Sequence, residues 1–401
     1  MGGCPAAIPG PGRRTHGLRP SRLLAADGHA ARPRPAGTPL GGGPRALAVL
    51  VTPRREFWRG RRVLVTGHTG FKGSWLCLLL HRLGAQVTGI GLDPYAGPTA
   101  FEALRIAPLL QADHRLDVRD GAAVAAMLRA ARPDLLLHLA AQPFVGRSYR
   151  EPAATFATNC TGTIHVLDAL RGLGGVAAAV FITSDKVYRN DGAGRAFLED
   201  DPLGGHDPYS ASKAAAEAAV QSWRASFAAD LPPIATARAG NVIGGGDFGE
   251  QRIIPDLVRA EMAGQALLLR RPDATRPFQH VLDVLRGYLM LAERLAGATA
   301  DAPSALNFGP LDGEIRVRDL LVHWQAATGV PVAWRQEEGP IMAEAPRLGL
   351  DSTLAMRVLG WRPALSTPEA IAETARWYAT WRAGADARAH ALAAIDRLVP
   401  A

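Results

Sequence analysis

From Arg62 onward, short apolar runs alternate with longer stretches of helical spacing. The runs Val63–Thr66, Gln86–Gly91, Leu135–Leu139, Ala179–Thr183, Ile234–Arg238 and Ala305–Phe308 read as strands. Gly73–Leu83, Ala122–Ala131, Thr155–Leu170 and Ser210–Ala228 read as helices between them. This βαβα rhythm predicts an α/β fold, a Rossmann-type doubly wound parallel sheet covered on both faces. After Gly240 the rhythm breaks, at Gly244-Gly245-Gly246, Pro255, Pro272 and Pro277. A smaller, mostly helical substrate domain is expected over 241–400. It is interleaved with a nucleotide-binding domain over 56–240, to which a late strand near 305–309 returns.

Residues 1–55 stand outside this pattern. They hold nine Pro, ten Gly and nine Arg against one acid, Asp27. Such a segment cannot build a core and is expected to be a disordered tail. We read it as upstream sequence from a misassigned start, with Val49 or Val51 as the native first residue. N-terminal sequencing decides this, and a native Met1 would overturn it. The tail also carries the whole net charge of +8, since residues 56–401 hold 36 cations and 36 anions. The basic balance therefore gives no reason to expect a nucleic-acid partner. At 48% hydrophobic and 20% charged the chain reads as globular. No apolar run approaches the ~20 residues of a membrane span. Cys4, Cys77 and Cys160 lie far apart without a CxxC, which fits a reducing cytoplasm and no zinc site or disulfide framework.

The first strand runs into Gly67-His68-Thr69-Gly70-Phe71-Lys72-Gly73 and then a helix. Glycines so spaced allow a tight turn and bring a helix N-terminus against a pyrophosphate. Asp93 ends the second strand 20 residues after Gly73. A carboxylate there accepts from a ribose 2′-OH and repels a 2′-phosphate, which favours NAD. Candidate NAD contacts are Gly67, Thr69, Gly70, Phe71, Gly73 and Asp93, with Leu139, Ala140 and Ala141 after the fourth strand. Asp117 and Val118 are a candidate adenine contact, or Asp117 simply starts a helix.

Of 45 cationic side chains only three are lysines: Lys72, Lys186 and Lys213. Arginine cannot lose its proton or act as a compact point charge, so a lysine kept among arginines can mark chemistry. Lys213 closes Tyr209-Ser210-Ala211-Ser212-Lys213, a YxxxK whose ends share one helix face. An ammonium beside a phenol lowers its pKa from ~10 toward neutrality, so the phenolate can accept a carbinol proton. Ser184 ends a strand 25 residues earlier, where such sheets bind ligands. Lys72 is a phosphate or substrate contact, or a solvated lysine.

These features resemble the short-chain dehydrogenase/reductase superfamily, in its extended, nucleotide-sugar-modifying branch, over about residues 57–380. Thr183-Ser184-Asp185-Lys186-Val187-Tyr188 resembles the strand-end motif of nucleotide-sugar 4,6-dehydratases. With His68–Trp75, Gln142–Val145, Asp201–Lys213, Gly240–Asp247 and Ala274–Leu282, it is similar to the CDP-glucose 4,6-dehydratases.

The resemblance implies NAD-dependent dehydration of CDP-D-glucose to CDP-4-keto-6-deoxy-D-glucose, in deoxysugar and lipopolysaccharide-type polysaccharide biosynthesis. Tyr209, with Lys213 and Ser184, would deprotonate the C4 hydroxyl. Asp185 would protonate the leaving C6 hydroxyl, which requires a raised pKa. Lys186 would be the C5 base if neutral, or stabilise the enolate if charged. The resemblance also implies sugar-nucleotide contacts from Asn241, Arg252 and Arg276, and a hexose pocket from Gln142, Phe144, Arg147, Ser148 and Tyr149. His280 is substrate-lining or core. Gly146 stands where relatives often carry a basic residue. No metal ligand set is present, and a homodimer or homotetramer is expected. The alternatives are a 4,6-dehydratase or 4-epimerase for another NDP-hexose, and a non-catalytic NAD-binding sensor, which would usually have lost Tyr209 or Lys213.

Overall fold

A computed structural model describes Gly2 and residues 50–297, 302–338 and 347–400. The sheet has seven strands: β1 (Arg62–Thr66), β2 (Gln86–Gly91), β3 (Ala112–Arg115), β4 (Leu135–His138), β5 (Ala178–Ile182), β6 (Ile234–Ala239) and β7 (Ala305–Phe308). All pair in parallel, in the order β7-β6-β5-β4-β1-β2-β3. The order reverses between β1 and β4, and their carboxyl ends open the crevice where such sheets take ligands.

Successive residues of a strand face opposite sides, so each central strand feeds two cores. Val63, Val65, Leu135, Leu137 and Val180 pack with α1 (Phe71–Arg82) and α5 (Val281–Ala296). Leu64, Leu136, Ala179 and Phe181 pack with α2 (Gly121–Ala131), α3 (Gly162–Leu170) and α4 (Pro208–Ser226). This two-sided burial is why the strands read as continuous apolar runs. β3 is the exception: its Ala112-Asp113-His114-Arg115 lies at the edge, alternates half-buried with exposed, and has no apolar run to announce it.

The body starts before the boundary expected at residue 55. Arg286 Nη2 donates to the Val51 carbonyl at 2.8 Å. The Arg54 amide and the Trp58 indole both donate to Glu293 Oε1 at 2.7 Å. The described residues from Leu50 on form one compact unit. The expectation of a disordered tail otherwise falls on residues outside those described, as does Cys4. Among the described residues no helix is long and apolar enough to cross a membrane.

Candidate active site

The glycine loop is shaped by what glycine lacks. Gly67 has φ +72°, and a Cβ there would lie 2.7 Å from the Ala140 amide nitrogen. A Cβ on Gly73 would lie within van der Waals overlap of the Gly67 carbonyl, so the first turn of α1 folds directly over the loop. No side chain caps the start of α1 at Gly70, leaving an uncapped helix N-terminus of the kind that receives phosphates. Thr69 Oγ1 donates to the Leu92 carbonyl at 2.9 Å, tying the loop to the tip of β2 beside Asp93. Thr66 Oγ1 accepts from the Leu139 and Ala140 amides at 3.1 and 3.0 Å, which fixes the segment after β4. The loop, the free helix start and the β4 segment therefore fit a dinucleotide. At the far edge, Asp117 is held by Arg119 at 2.6 Å and the buried Val118 carbonyl accepts from His165 at 2.9 Å.

Beyond the loop lies a cavity of about 310 Å³, lined by Lys72, Ser184, Asp185, Lys186 and Tyr209, and by Asn241, Arg252 and Arg276 on its other wall. The residues expected to act on the sugar thus share one space. Pro208 and the Asp207 cap start α4, so Tyr209, Lys213 and Glu217 fall on one face at i, i+4 and i+8. Ser184 follows β5 and donates to Asp185 Oδ1 at 2.9 Å. The other Asp185 oxygen, Oδ2, is buried without a partner, and Gly240 admits it: a Cβ there would lie 3.4 Å away. Burial raises the Asp185 pKa against the lowering pull of Lys186, Ser184 and Arg276, as a proton donor requires.

Tyr209 departs from expectation. Its phenol is pushed up to about 12, because burial outweighs its hydrogen bond with Ser184. Asp185 and Asp207 raise it further, and Arg252 lowers it. The Lys213 pKa is brought down to about 7 by burial and by Lys72, and its Nζ donates to the Ile182 carbonyl at 3.1 Å. Lys72 is half-buried at the cavity wall, its ammonium 5.8 Å from the Tyr288 ring centroid. It has no hydrogen bond or ion pair among the described residues, and burial and Arg252 lower its pKa to about 8.

Several expected substrate contacts are engaged elsewhere. Gln142 folds back on its own loop, donating to the Phe144 carbonyl and Thr155 Oγ1 at 3.0 Å and accepting from the Phe144 amide. Ser148 is fully buried and donates to Val145, and Arg147 pairs with Glu151. His280 caps α5 by accepting from the Leu282 amide, edge-on to Trp75, and burial lowers its pKa to about 4. Of this set Phe144 alone lines the cavity. Tyr149 is exposed. The space over Gly146 is taken by the Gln251 side chain, whose backbone has φ +57°.

Two groups escaped sequence reading. Asp247 holds Arg252 at 2.9 Å, over the Phe144 ring. Glu217 accepts from Thr183 Oγ1 at 2.5 Å, from Thr236 at 2.9 Å and from both Nε and Nη2 of Arg238. This wholly buried pair ties α4 to β5 and β6 directly behind Ser184 and Lys213. The Lys213-to-Glu217 spacing of four was the available signal. Among the described residues no group of three or more His, Cys, Asp or Glu could hold a metal ion.

The sequence matches the NAD dependent epimerase/dehydratase family over residues 63–308. It is 39% identical over 339 residues to a CDP-glucose 4,6-dehydratase of Salmonella typhimurium, covering 83% of this chain and 94% of that protein. It is 29% identical to a dTDP-glucose 4,6-dehydratase of Xanthomonas campestris pv. campestris, covering 79% and 93%. The fold superposes on a UDP-glucose-4-epimerase of Stenotrophomonas maltophila with bound NAD, with TM-score 0.70, 25% identity, and 81% and 100% coverage.

Proposed function

The chain belongs to the NAD dependent epimerase/dehydratase family, and from that premise we propose that it dehydrates CDP-D-glucose to CDP-4-keto-6-deoxy-D-glucose. The observation that carries this reading is the shared cavity: a Ser184–Tyr209 pair for alcohol oxidation beside a buried Asp185 with a free oxygen and a raised pKa. An epimerase needs the first; elimination of water needs the second as well.

Gly67, Gly70, Phe71 and Gly73 would hold the NAD diphosphate, and Asp93 the adenosine ribose. When bound there, NAD would supply the redox chemistry, as the acceptor of the C4 hydride and the donor of a hydride to C6. Tyr209 takes the C4 hydroxyl proton as its phenolate, which requires ligand binding to bring the phenol down from about 12, and Ser184 would turn from Asp185 to donate to the same oxygen. The resulting ketone acidifies the C5 hydrogen. Lys186, half-buried on the cavity wall, serves the C5 side. Asp185 gives its proton to the C6 hydroxyl, which departs as water. Protonation at C5 completes the product. Arg252 and Arg276 match a diphosphate with fixed cations.

Lys186→Arg keeps charge but cannot give up a proton at neutral pH. Loss of C5 exchange with deuterated solvent in that variant would assign Lys186 as the base. Retained exchange would assign it as an electrostatic stabiliser. Incubation with CDP-, UDP-, dTDP- and GDP-glucose tests the substrate, with the 4-keto-6-deoxy product expected from the cytidine sugar. Turnover of a non-cytidine sugar alone would refute the assignment. The free Cys77 and Cys160 suit a reducing cytoplasm. Exposed Tyr149 and Phe156 near α3 and α4 suit a homodimer or homotetramer, which sedimentation would measure.

A further inference from the structure

The adenosine end of the groove holds an arrangement that the glycine loop does not account for. Asp93, just past β2, lies 3.1 Å through Oδ1 from Nε of Arg115, the last residue of β3. The same guanidinium reaches Asp113 through Nη1 at 2.8 Å and Nη2 at 3.1 Å. It also lies over the Phe101 ring, 5.2 Å from the centroid. Asp113 in turn is 2.8 Å from Nε2 of His68, the buried second residue of the glycine loop. Arg115 is therefore anchored on one side by Asp113 and Phe101, whatever Asp93 does.

The Asp93 side chain is 84% exposed. An exposed ion pair adds little stability, so the weight of this one lies in what binds beside it. Two carboxylates and one guanidinium leave a net charge of −1, since burial lowers the His68 pKa and keeps the ring neutral. A ribose diol can donate to this cluster, whereas a 2′-phosphate meets net negative charge and a guanidinium already engaged.

We propose that Arg115 sets the cofactor choice jointly with Asp93: it positions the carboxylate for the ribose, and Asp93 keeps the guanidinium from a 2′-phosphate. Arg115 is then a positioning residue with a second, latent capacity. Neutralising Asp93 leaves one carboxylate against one guanidinium and frees the Nε edge at the place where a 2′-phosphate would sit. Guanidinium and phosphate pair strongly and directionally. The proposal rests on the adenosine of NAD lying at the tip of β2.

Calorimetric titration of the full chain with NAD and with 2′,5′-ADP reads binding without turnover. Asp93 is exposed, so Asp93→Asn is expected to fold as the wild type does. The wild type should bind NAD and take 2′,5′-ADP poorly. Asp93→Asn should bind 2′,5′-ADP at least about tenfold tighter, the worth of one charge-assisted hydrogen bond. Adding Arg115→Met should remove that gain. Arg115→Met alone should weaken NAD severalfold with no gain for 2′,5′-ADP. No gain in Asp93→Asn, or a gain that survives Arg115→Met, would overturn the proposal while leaving the NAD assignment intact. A wild type that fails to bind NAD would overturn both.

Discussion

The two ends of the cleft are built on different principles. At the cofactor end, shape comes from backbone held close to backbone. Gly67 and Gly73 are there because no Cβ fits, and the hydroxyls of Thr66 and Thr69 stitch loop to strand. At the sugar end, shape comes from buried charge. Burial resists the ionisation of Asp185 and Lys213, while the buried guanidinium of Arg238 is paired with Glu217 and that of Arg252 with Asp247. Around the glycine loop, added volume should do more harm than a change of charge. The sugar end should tolerate small volume changes and fail on changes of charge.

Substitutions can break this contrast. The largest effect is expected at Tyr209, where Tyr209→Phe keeps volume and removes the proposed proton acceptor. Steady-state assay should find kcat reduced about 10³-fold, with NAD binding retained. Glu217→Ala strands the Arg238 guanidinium, wholly buried, and should cost about 3–5 kcal/mol in denaturant unfolding. At the other end Gly73→Ala adds one methyl group and no charge. The clash with the Gly67 carbonyl should weaken NAD about a hundredfold by calorimetry, with kcat at saturating NAD far less affected. Lys72 lies between the two ends. If its ammonium serves a bound oxygen of the substrate, Lys72→Met should lower kcat/KM about tenfold, and Lys72→Arg should recover little of it. An unchanged kcat/KM would return Lys72 to the class of solvated lysines.

A last test sharpens the contrast through pH. The folded pKa of Lys213 is lowered to about 7 from an ordinary 10.5. Between those values the unfolded chain holds the proton and the folded chain does not, so this group makes stability rise with pH across that window. Cofactor-free protein should therefore gain melting temperature from pH 7 to 9 relative to Lys213→Met. A parallel profile in the two proteins would mean that the ammonium is not desolvated.

The glycine loop and the YxxxK were legible because their logic is local. The first shows as a seven-residue glycine spacing, even though Gly67 also answers to the approach of Ala140, and the second follows the repeat of one helix. The central strands were legible for a related reason, since burial on both faces writes itself as an apolar run. β3 was not, because at the sheet edge its Asp113, His114 and Arg115 need no such run. The fates of Gln142, Ser148 and His280 were equally hidden. Each lies near the site in sequence, yet its polar atoms are engaged by its own loop or helix end.

By itself the sequence determined the parallel fold, the glycine loop and the YxxxK of Tyr209 and Lys213, while a family resemblance added Asp185 beside Ser184. Periodicity, glycine sterics and spacing are properties of a continuous chain. Only the tertiary structure decided their surroundings and partners: the raised phenol of Tyr209, the unpaired Oδ2 of Asp185, Glu217 behind Ser184 and Lys213, and Arg115 against Asp93. Desolvation and ion pairing depend on which distant segments close around a group, and that is fixed only when the sheet and its helices have packed.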